Sequence, residues 1–154
     1  MNRDSATLAA RMNDMVARCR TRRMSVTPQR MAIYRALLES EDHPSPETLF
    51  GRVRAKMPSI SLATIYNVLD ALVELGLSLE VAAVSGIKRY DANLEKHHHL
   101  VCTHCGTIVD FYDRDLDGVA APRRAKLGSF VAETVTIQVL GVCASCARGA
   151  RRGS

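Results

Sequence analysis

The stretch Ser61-Leu62-Ala63-Thr64-Ile65-Tyr66-Asn67-Val68-Leu69-Asp70-Ala71-Leu72-Val73-Glu74-Leu75-Gly76 decides the fold of the first half of the chain. Ser61 supplies a capping hydroxyl. Leu62, Ile65, Val68, Leu69 and Leu72 follow at helical spacing on one face, and Gly76 is a stop signal. The other face offers Ser61, Ala63, Thr64, Tyr66 and Asn67, with Ser59 just ahead of it. Short polar groups and one tyrosine suit phosphates, base edges and thymine methyls. Upstream, Thr27-Pro28 and Ser45-Pro46 each pair a capping hydroxyl with a proline at the first helical position. Met31, Tyr34, Leu37 and Leu38 predict a helix running to about residue 40. Leu49, Phe50, Val53 and Met57 predict the next, ended by Pro58. Residues 5–20 read as a further helix with Leu8, Met12, Met15 and Val16 on one face, and Cys19 as a surface or half-buried thiol. Downstream, residues 79–84 and 87–90 are β-prone runs joined by Ser85-Gly86. Three short helices and a hairpin are the layout of a winged helix-turn-helix, whose third helix enters the major groove. A helical bundle with no DNA role shares that pattern, and both readings stand at this point.

Composition narrows the field. In 154 residues, 47% are hydrophobic and 24% charged, which is globular and not disordered. No apolar run is long enough to span a membrane. The opening Met-Asn-Arg-Asp-Ser-Ala lacks the apolar stretch of a signal peptide, so a cytoplasmic protein is expected. Tryptophan is absent and aromatics are 5%, so each half has a small aliphatic core that would benefit from a metal or a dimer. Residues 1–35 hold eight Arg against Asp4 and Asp14, a net +6 within a whole-chain +5. That basic arm is either a solvated helix face or a phosphate contact.

Of the five cysteines, Cys102-Thr-His-Cys105 and Cys143-Ala-Ser-Cys146 form two Cys-x-x-Cys pairs. Two such knuckles complete a tetrahedron around one zinc with no open position, a structural site and not a catalytic one. Gly106 permits the turn after the first pair. Strands are predicted at residues 100–101 and 107–111, a weak helix at 115–127 interrupted by Gly118 and Pro122, and a long strand at 130–140. His97, His98 and His99 precede Cys102; in a strand His97 and His99 share a face while His98 points away. With Asp110, and with His43 and Asp91 from the first half, they are nitrogen and oxygen donors that suit Fe(II), Mn(II) or Zn(II). A solvated polar turn is the competing reading of the histidine triplet.

Several motifs together resemble the ferric uptake regulator family. They are Thr27-Pro28-Gln29-Arg30, His43-Pro44-Ser45, Ser61 to Asn67, Arg89-Tyr90-Asp91, His97 to Phe111, and Gly141-Val142-Cys143-Ala-Ser-Cys146. The resemblance runs in order from about Met24 to Cys146. It implies an α+β protein: a winged-helix DNA-binding domain over residues 1–91 with a helical extension over 1–23, and a hinge over 92–98. A small α/β dimerisation domain with a four-cysteine zinc follows over 99–147, and a disordered tail over 148–154. It implies a homodimeric repressor, not an enzyme, that binds palindromic double-stranded DNA when a regulatory metal is present. Carried over position by position, the structural zinc falls to Cys102, Cys105, Cys143 and Cys146, and the regulatory Fe(II) or Mn(II) to His43, Asp91, His97, His99 and Asp110. DNA contacts are expected from Arg23, Thr27, Gln29, Arg30, Ser61, Ala63, Thr64, Tyr66, Asn67, Lys88 and Arg89.

Asp110 stands where iron-sensing members usually carry glutamate and peroxide-sensing members aspartate. The resemblance therefore implies the peroxide-responsive subtype, in which Fe(II) and peroxide oxidise a ligand histidine, here His43 or His97. The alternative is an iron, zinc or manganese availability regulator of the same family. A metallohydrolase would need an open metal position and a nearby general base, which five protein ligands leave little room for. A zinc ribbon without a DNA role leaves the capped helices unused. Around Val135 the chain lacks the histidine of a further site found in many members, so His98 is expected to be a remnant of it or solvent-facing. Pro122 is expected to shorten the dimer-domain helix.

Overall fold

In a computed structural model of the chain, residues 5–81, 86–117, 129 and 137–150 are described. The chain divides into two compact units, Met1–Glu95 and Lys96–Ser154. The boundary falls inside the stretch expected to be a hinge.

In the first unit, helix α1 spans Ser5–Thr21, α2 Pro28–Leu38, α3 Pro46–Arg54 and α4 Leu62–Glu74. Thr27, Ser45 and Ser61 are the N-caps, each accepting the amide three residues on: Arg30 at 3.2 Å, Thr48 at 3.2 Å and Thr64 at 3.1 Å. Helix α4 closes as the sequence predicts. Gly76 takes a φ of +65°, Leu77 N–H bonds Leu72 C=O, and Gly76 N–H bonds Val73 C=O, both at 2.9 Å. The end of α1 repeats that closure with Arg23 at φ +54°, a left-handed position without glycine. Helix α3 stops at Arg54, so Met57 and Pro58 lie beyond it and not at its end.

The core gathers Met12 and Met15 of α1, Ile33, Tyr34 and Leu37 of α2, Leu49 and Val53 of α3, and Ile65, Leu69 and Leu72 of α4. Each fully buried aliphatic side chain contributes about 1.5–3 kcal/mol relative to exposure. Cys19 is 0% exposed within this core, not a surface thiol. It lies one helical turn beyond Met15, so the buried stripe of α1 runs Met12-Met15-Cys19. Strands β1 (Leu79–Val81) and β2 (Arg89–Asp91) pair antiparallel, with Leu79 opposite Asp91. Both are shorter than the runs predicted at 79–84 and 87–90, and residues 82–85 lie outside those described.

In the second unit, β3 spans His98–Cys102, β4 Ile108–Phe111, α5 Arg114–Asp117, β5 Gln138–Gly141 and α6 Ala144–Ala150. The sheet order is β4-β3-β5, with β3 antiparallel to β4 and parallel to β5. Strand β3 begins at His98, which the expected hinge of 92–98 would have left outside it. Arg148 and Gly149 belong to α6, which corrects the expectation of a disordered tail from residue 148; the remainder, 151–154, lies outside the described residues. So do most of the helix expected at 115–127, with Gly118 and Pro122, and most of the strand expected at 130–140, including Val135.

Candidate metal centres and nucleic-acid face

The thiolate cluster is built by backbone geometry. Gly106, at φ +71°, turns the chain after the first cysteine pair. Gly106 N–H returns to Cys102 C=O at 2.9 Å, and Cys102 N–H reaches Thr107 C=O at 2.9 Å. The parallel β3–β5 ladder places Cys102 opposite Gly141, and Thr103 N–H donates to Gly141 C=O at 2.8 Å. The second pair therefore arrives beside the first. The sulfurs of Cys102, Cys105, Cys143 and Cys146 all lie within 4.8 Å of one another. Cys105 and Cys143 Sγ are 3.7 Å apart. Two thiolates about 2.3 Å from a tetrahedral zinc stand about 3.8 Å apart.

The protonation pattern fits the same donor set. Cys102 is drawn down to about 5 because backbone N–H groups, that of Cys143 first, point at its sulfur. Cys143 N donates to Cys102 Sγ at 3.3 Å. Cys143 is lowered by the Ser145 hydroxyl. Cys146 is pushed up to about 12 by hydrogen bonds to Cys143 and Cys105. Crowded sulfurs that compete for protons are a donor set from which a dication displaces them.

The nitrogen and oxygen donors form two local groups, one in each unit. In the first, His43 is 5% exposed and precedes α3 with a φ of +46°. Such a conformation is uncommon for a residue with a β-carbon and marks sites where geometry is imposed. Strand β2 holds this turn: Tyr90 N–H bonds Pro44 C=O at 3.2 Å, and Arg89 Nη1 lies 3.5 Å from His43 C=O. Asp91, 8% exposed, places Oδ2 3.5 Å from His43 Nε2.

In the second unit, register does the positioning. His99 lies directly opposite Asp110 in the β3–β4 ladder. Two residues back, His97 faces the same way, and the two Nε2 atoms are 3.0 Å apart. Asp110 Oδ1 is 3.6 Å from His97 Nε2 and 3.8 Å from His99 Nε2. Donor atoms about 2.1 Å from one ion stand about 3.0–3.4 Å apart at octahedral or tetrahedral angles. The His97–His99 pair at 3.0 Å has that spacing, and the carboxylate–imidazole separations of 3.5–3.8 Å lie a few tenths of an ångström beyond it. His98 points away as alternation requires, but it is buried at 3% and pairs with Asp117 Oδ1 at 3.1 Å, not solvent-facing. Nothing in the sequence alone would have singled out Asp117.

On α4, Ala63 and Asn67 are exposed and Thr64 and Tyr66 half-buried. Ser61 and Thr64 are engaged in the helix cap. Tyr66 donates to Glu47 Oε1 at 2.6 Å, which raises the phenol and lowers the carboxyl. Lys88 pairs with Glu80 at 2.9 Å, and Arg30 donates to Ser25 C=O. Arg23 is exposed in its left-handed turn, and Thr27 and Gln29 open α2. Glu47 as the holder of Tyr66 is not legible in the sequence, because a contact between α3 and α4 has no local signal.

A winged-helix unit, joined in one chain to a unit bearing a thiolate cluster and a His/Asp cluster, defines a metal-binding protein of the transcription-regulator class. A sequence profile of the ferric uptake regulator family matches residues 21–139, and the chain belongs to that family of regulators, which are not enzymes. It is 33% identical over 135 residues to the peroxide-responsive repressor PerR of Staphylococcus epidermidis, spanning 88% of this chain and 89% of that one. The fold superposes on the Helicobacter pylori ferric uptake regulator Fur with a TM-score of 0.75 at 22% identity, covering 91% and 93% of the two chains. The Campylobacter jejuni peroxide stress regulator is similar at 32% identity, TM-score 0.59, over 77% of this chain and 89% of that one. Among the described residues no helix is long and apolar enough to cross a membrane.

Proposed function

We propose that this protein is a homodimeric, metal-dependent DNA-binding repressor that senses hydrogen peroxide. In this reading Cys102, Cys105, Cys143 and Cys146 hold a structural Zn(II). His43, Asp91, His97, His99 and Asp110 hold one regulatory Fe(II) or Mn(II). The observation that carries it is the segregation of donor types. All four thiolates lie in one cluster, and the separate His97/His99/Asp110 group has only nitrogen and oxygen donors. Hard and borderline donors favour Fe(II) and Mn(II), while thiolates favour zinc. Similarity to peroxide-responsive repressors supports the signal.

Metal binding and operator binding would then help each other, since coupling between two sites is reciprocal. Fe(II) held there would supply one-electron chemistry for O–O cleavage and would regain its electron from the ring, so that the net oxidant is peroxide and the net reductant the imidazole. His43 or His97 accepts one oxygen at a ring carbon, its C–H hydrogen moves to the ring nitrogen, and the second peroxide oxygen leaves as water. The imidazole is oxidised by two electrons and the peroxide reduced by two. The oxidised ring no longer offers the same nitrogen lone pair, so the ligand set fails and the operator is released. The change consumes the sensor and does not turn over.

Ser61, Ala63, Thr64, Tyr66 and Asn67 are the proposed base-reading face. Arg23, Thr27, Gln29, Arg30, Lys88 and Arg89 would position the phosphate backbone. The partner in the dimer is a second copy. Leu100, Val109 and Val139 are register partners across the three strands of the second unit and are 41%, 51% and 45% exposed, an apolar row that a like surface would cover. The test is operator binding by Fe(II)-loaded and Mn(II)-loaded protein before and after low peroxide, with intact mass. Loss of binding in the iron form alone, with one oxygen added to the peptide holding His43 or His97, is the expected result. Unchanged binding and mass in both forms would replace this reading with a metal-availability regulator.

A further inference from the structure

Arg11 lies far from any ligand in sequence, yet its guanidinium ends at the base of the wing. Nη2 donates to Ala92 C=O at 2.8 Å, to Leu77 C=O at 3.3 Å and to Tyr34 Oη at 3.1 Å. Nε reaches the same hydroxyl at 3.3 Å. Tyr34 and Leu77 are 0% exposed and Ala92 4%. Leu77 precedes β1 and Ala92 follows β2, so one side chain of α1 staples both strands where the hairpin opens.

The Ala92 carbonyl belongs to the same peptide group as Asn93 N–H. That N–H donates to Asp91 Oδ1 at 2.7 Å in a buried contact. A trans peptide is planar and rigid, and its C=O and N–H point in opposite directions. Fixing the carbonyl with Arg11 therefore fixes the direction from which the amide meets Asp91. With Oδ1 held, Oδ2 is the oxygen left toward His43 Nε2. The turn is locked one step further on, where Glu95 N–H donates to Asn93 Oδ1 at 3.2 Å. Hydrogen bonds in such a chain also polarise one another.

We infer that Arg11 is a positioning residue for the regulatory metal, acting through the Ala92–Asn93 peptide to orient the carboxylate of Asp91. The inference rests on Asp91 being a ligand, as proposed above. It assigns α1 a role in setting metal affinity rather than in touching DNA through this arginine. Arg18 gives an internal comparison. It stands on the same helix and donates to Leu75 C=O at 3.0 Å, but it does not touch the 92–93 peptide.

The test is titration of the zinc-loaded full chain with Mn(II), reading free Mn(II) by electron paramagnetic resonance, with thermal unfolding and zinc content measured alongside. Loss of an outer partner of a ligand typically weakens metal affinity 10–100-fold. Arg11→Met removes the partner of that partner, one peptide further from the ligand, and is expected to weaken Mn(II) binding at the lower end of that range, about 10-fold. Arg18→Met is expected to lower the melting temperature comparably with Mn(II) affinity unchanged. Arg11→Lys, which keeps the charge but not the fork that serves three acceptors, is expected to fall between. It also provides the reading if Arg11→Met does not fold. Wild-type Mn(II) affinity in Arg11→Lys and Arg11→Met, or equal weakening in Arg18→Met, would overturn the inference. Asp91→Ala separates the two layers. If it leaves Mn(II) affinity intact, the ligand assignment itself is wrong and the role of Arg11 goes with it. If it abolishes binding while the Arg11 variants bind normally, only the inference about Arg11 fails.

Discussion

The two units both bear side chains of metal-ligand type but are held together by different means. The first has a continuous core contributed by all four helices, with each helix start capped by its own hydroxyl. The second has three short strands, few buried apolar side chains among the described residues, and an apolar row left exposed. Its densest chemistry is the thiolate cluster. The contrast teaches where stability comes from: apolar burial sustains the helical unit, whereas the small sheet, in the proposed reading, would depend on a closed metal site and on a second copy.

The strongest way to break this contrast is Cys143→Ser. It is expected to remove zinc and the folded signal of the second unit while the helical signal of the first persists, read by zinc content and circular dichroism. A stable zinc-free dimer would count against the structural zinc. Acidification should do the same without mutation. Thiolates must be deprotonated to hold zinc, so protons compete with the metal for the same lone pairs. Zinc is expected to stay bound at neutral pH and to leave on acidification, read by released zinc against pH.

Leu69→Ala is the mirror experiment. Leu69 is 0% exposed in the helical core, and its truncation should cost the first unit about 2–5 kcal/mol in denaturant unfolding with zinc retained. His43→Ala addresses the ligands and not either scaffold. It should leave zinc and dimer intact, weaken the peroxide response, and reduce metal-dependent operator affinity by a factor within about 5–150, measured by gel shift with and without Mn(II). Loss of dimerisation instead would mean His43 is misassigned.

The smallest effect belongs to the surface of the first unit. Arg52 hydrogen-bonds Asp42 at 2.6 Å and 2.9 Å and holds its carboxyl below the usual 3.8. A lowered carboxyl stabilises above its unfolded value and loses that contribution as pH falls through the folded one. The Asp42 side chain is 52% exposed, so solvent screening leaves less than about 1 kcal/mol. Asp42→Asn should flatten the stability–pH curve of the first unit below pH about 4 and change little at pH 7.

The helices, their caps and both cysteine knuckles were legible because each signal is local. A hydroxyl followed by proline, a glycine after an apolar stripe, and two cysteines three residues apart act within one turn of chain. Alternation in β3 is equally local, and it put His97 and His99 on one side with His98 on the other. Residue 98 shows the limit of that reading, since alternation says which way a side chain points but not that Asp117 waits to bury it. Cys19 shows another: its burial depends on the helices packed against α1, which no periodicity within α1 reveals. The Asp91-Ala92-Asn93-Leu94-Glu95 run carries a local signal of its own, Asp91 and Asn93 side chains each accepting from the amide two residues on.

What the sequence determined by itself is the inventory: which residues cap, which bury, which donor atoms exist and at what spacing along the chain. Tertiary structure alone decided which donors meet. The β3–β4 register set Asp110 opposite His99, the parallel β3–β5 pairing brought the second cysteine pair to the first, and Arg11 reached Ala92 across 81 residues of chain. The physical reason is range. Capping and periodicity act through the backbone over a few residues, whereas register and side-chain clamps are fixed only when distant segments compete for the same hydrogen bonds in the folded molecule.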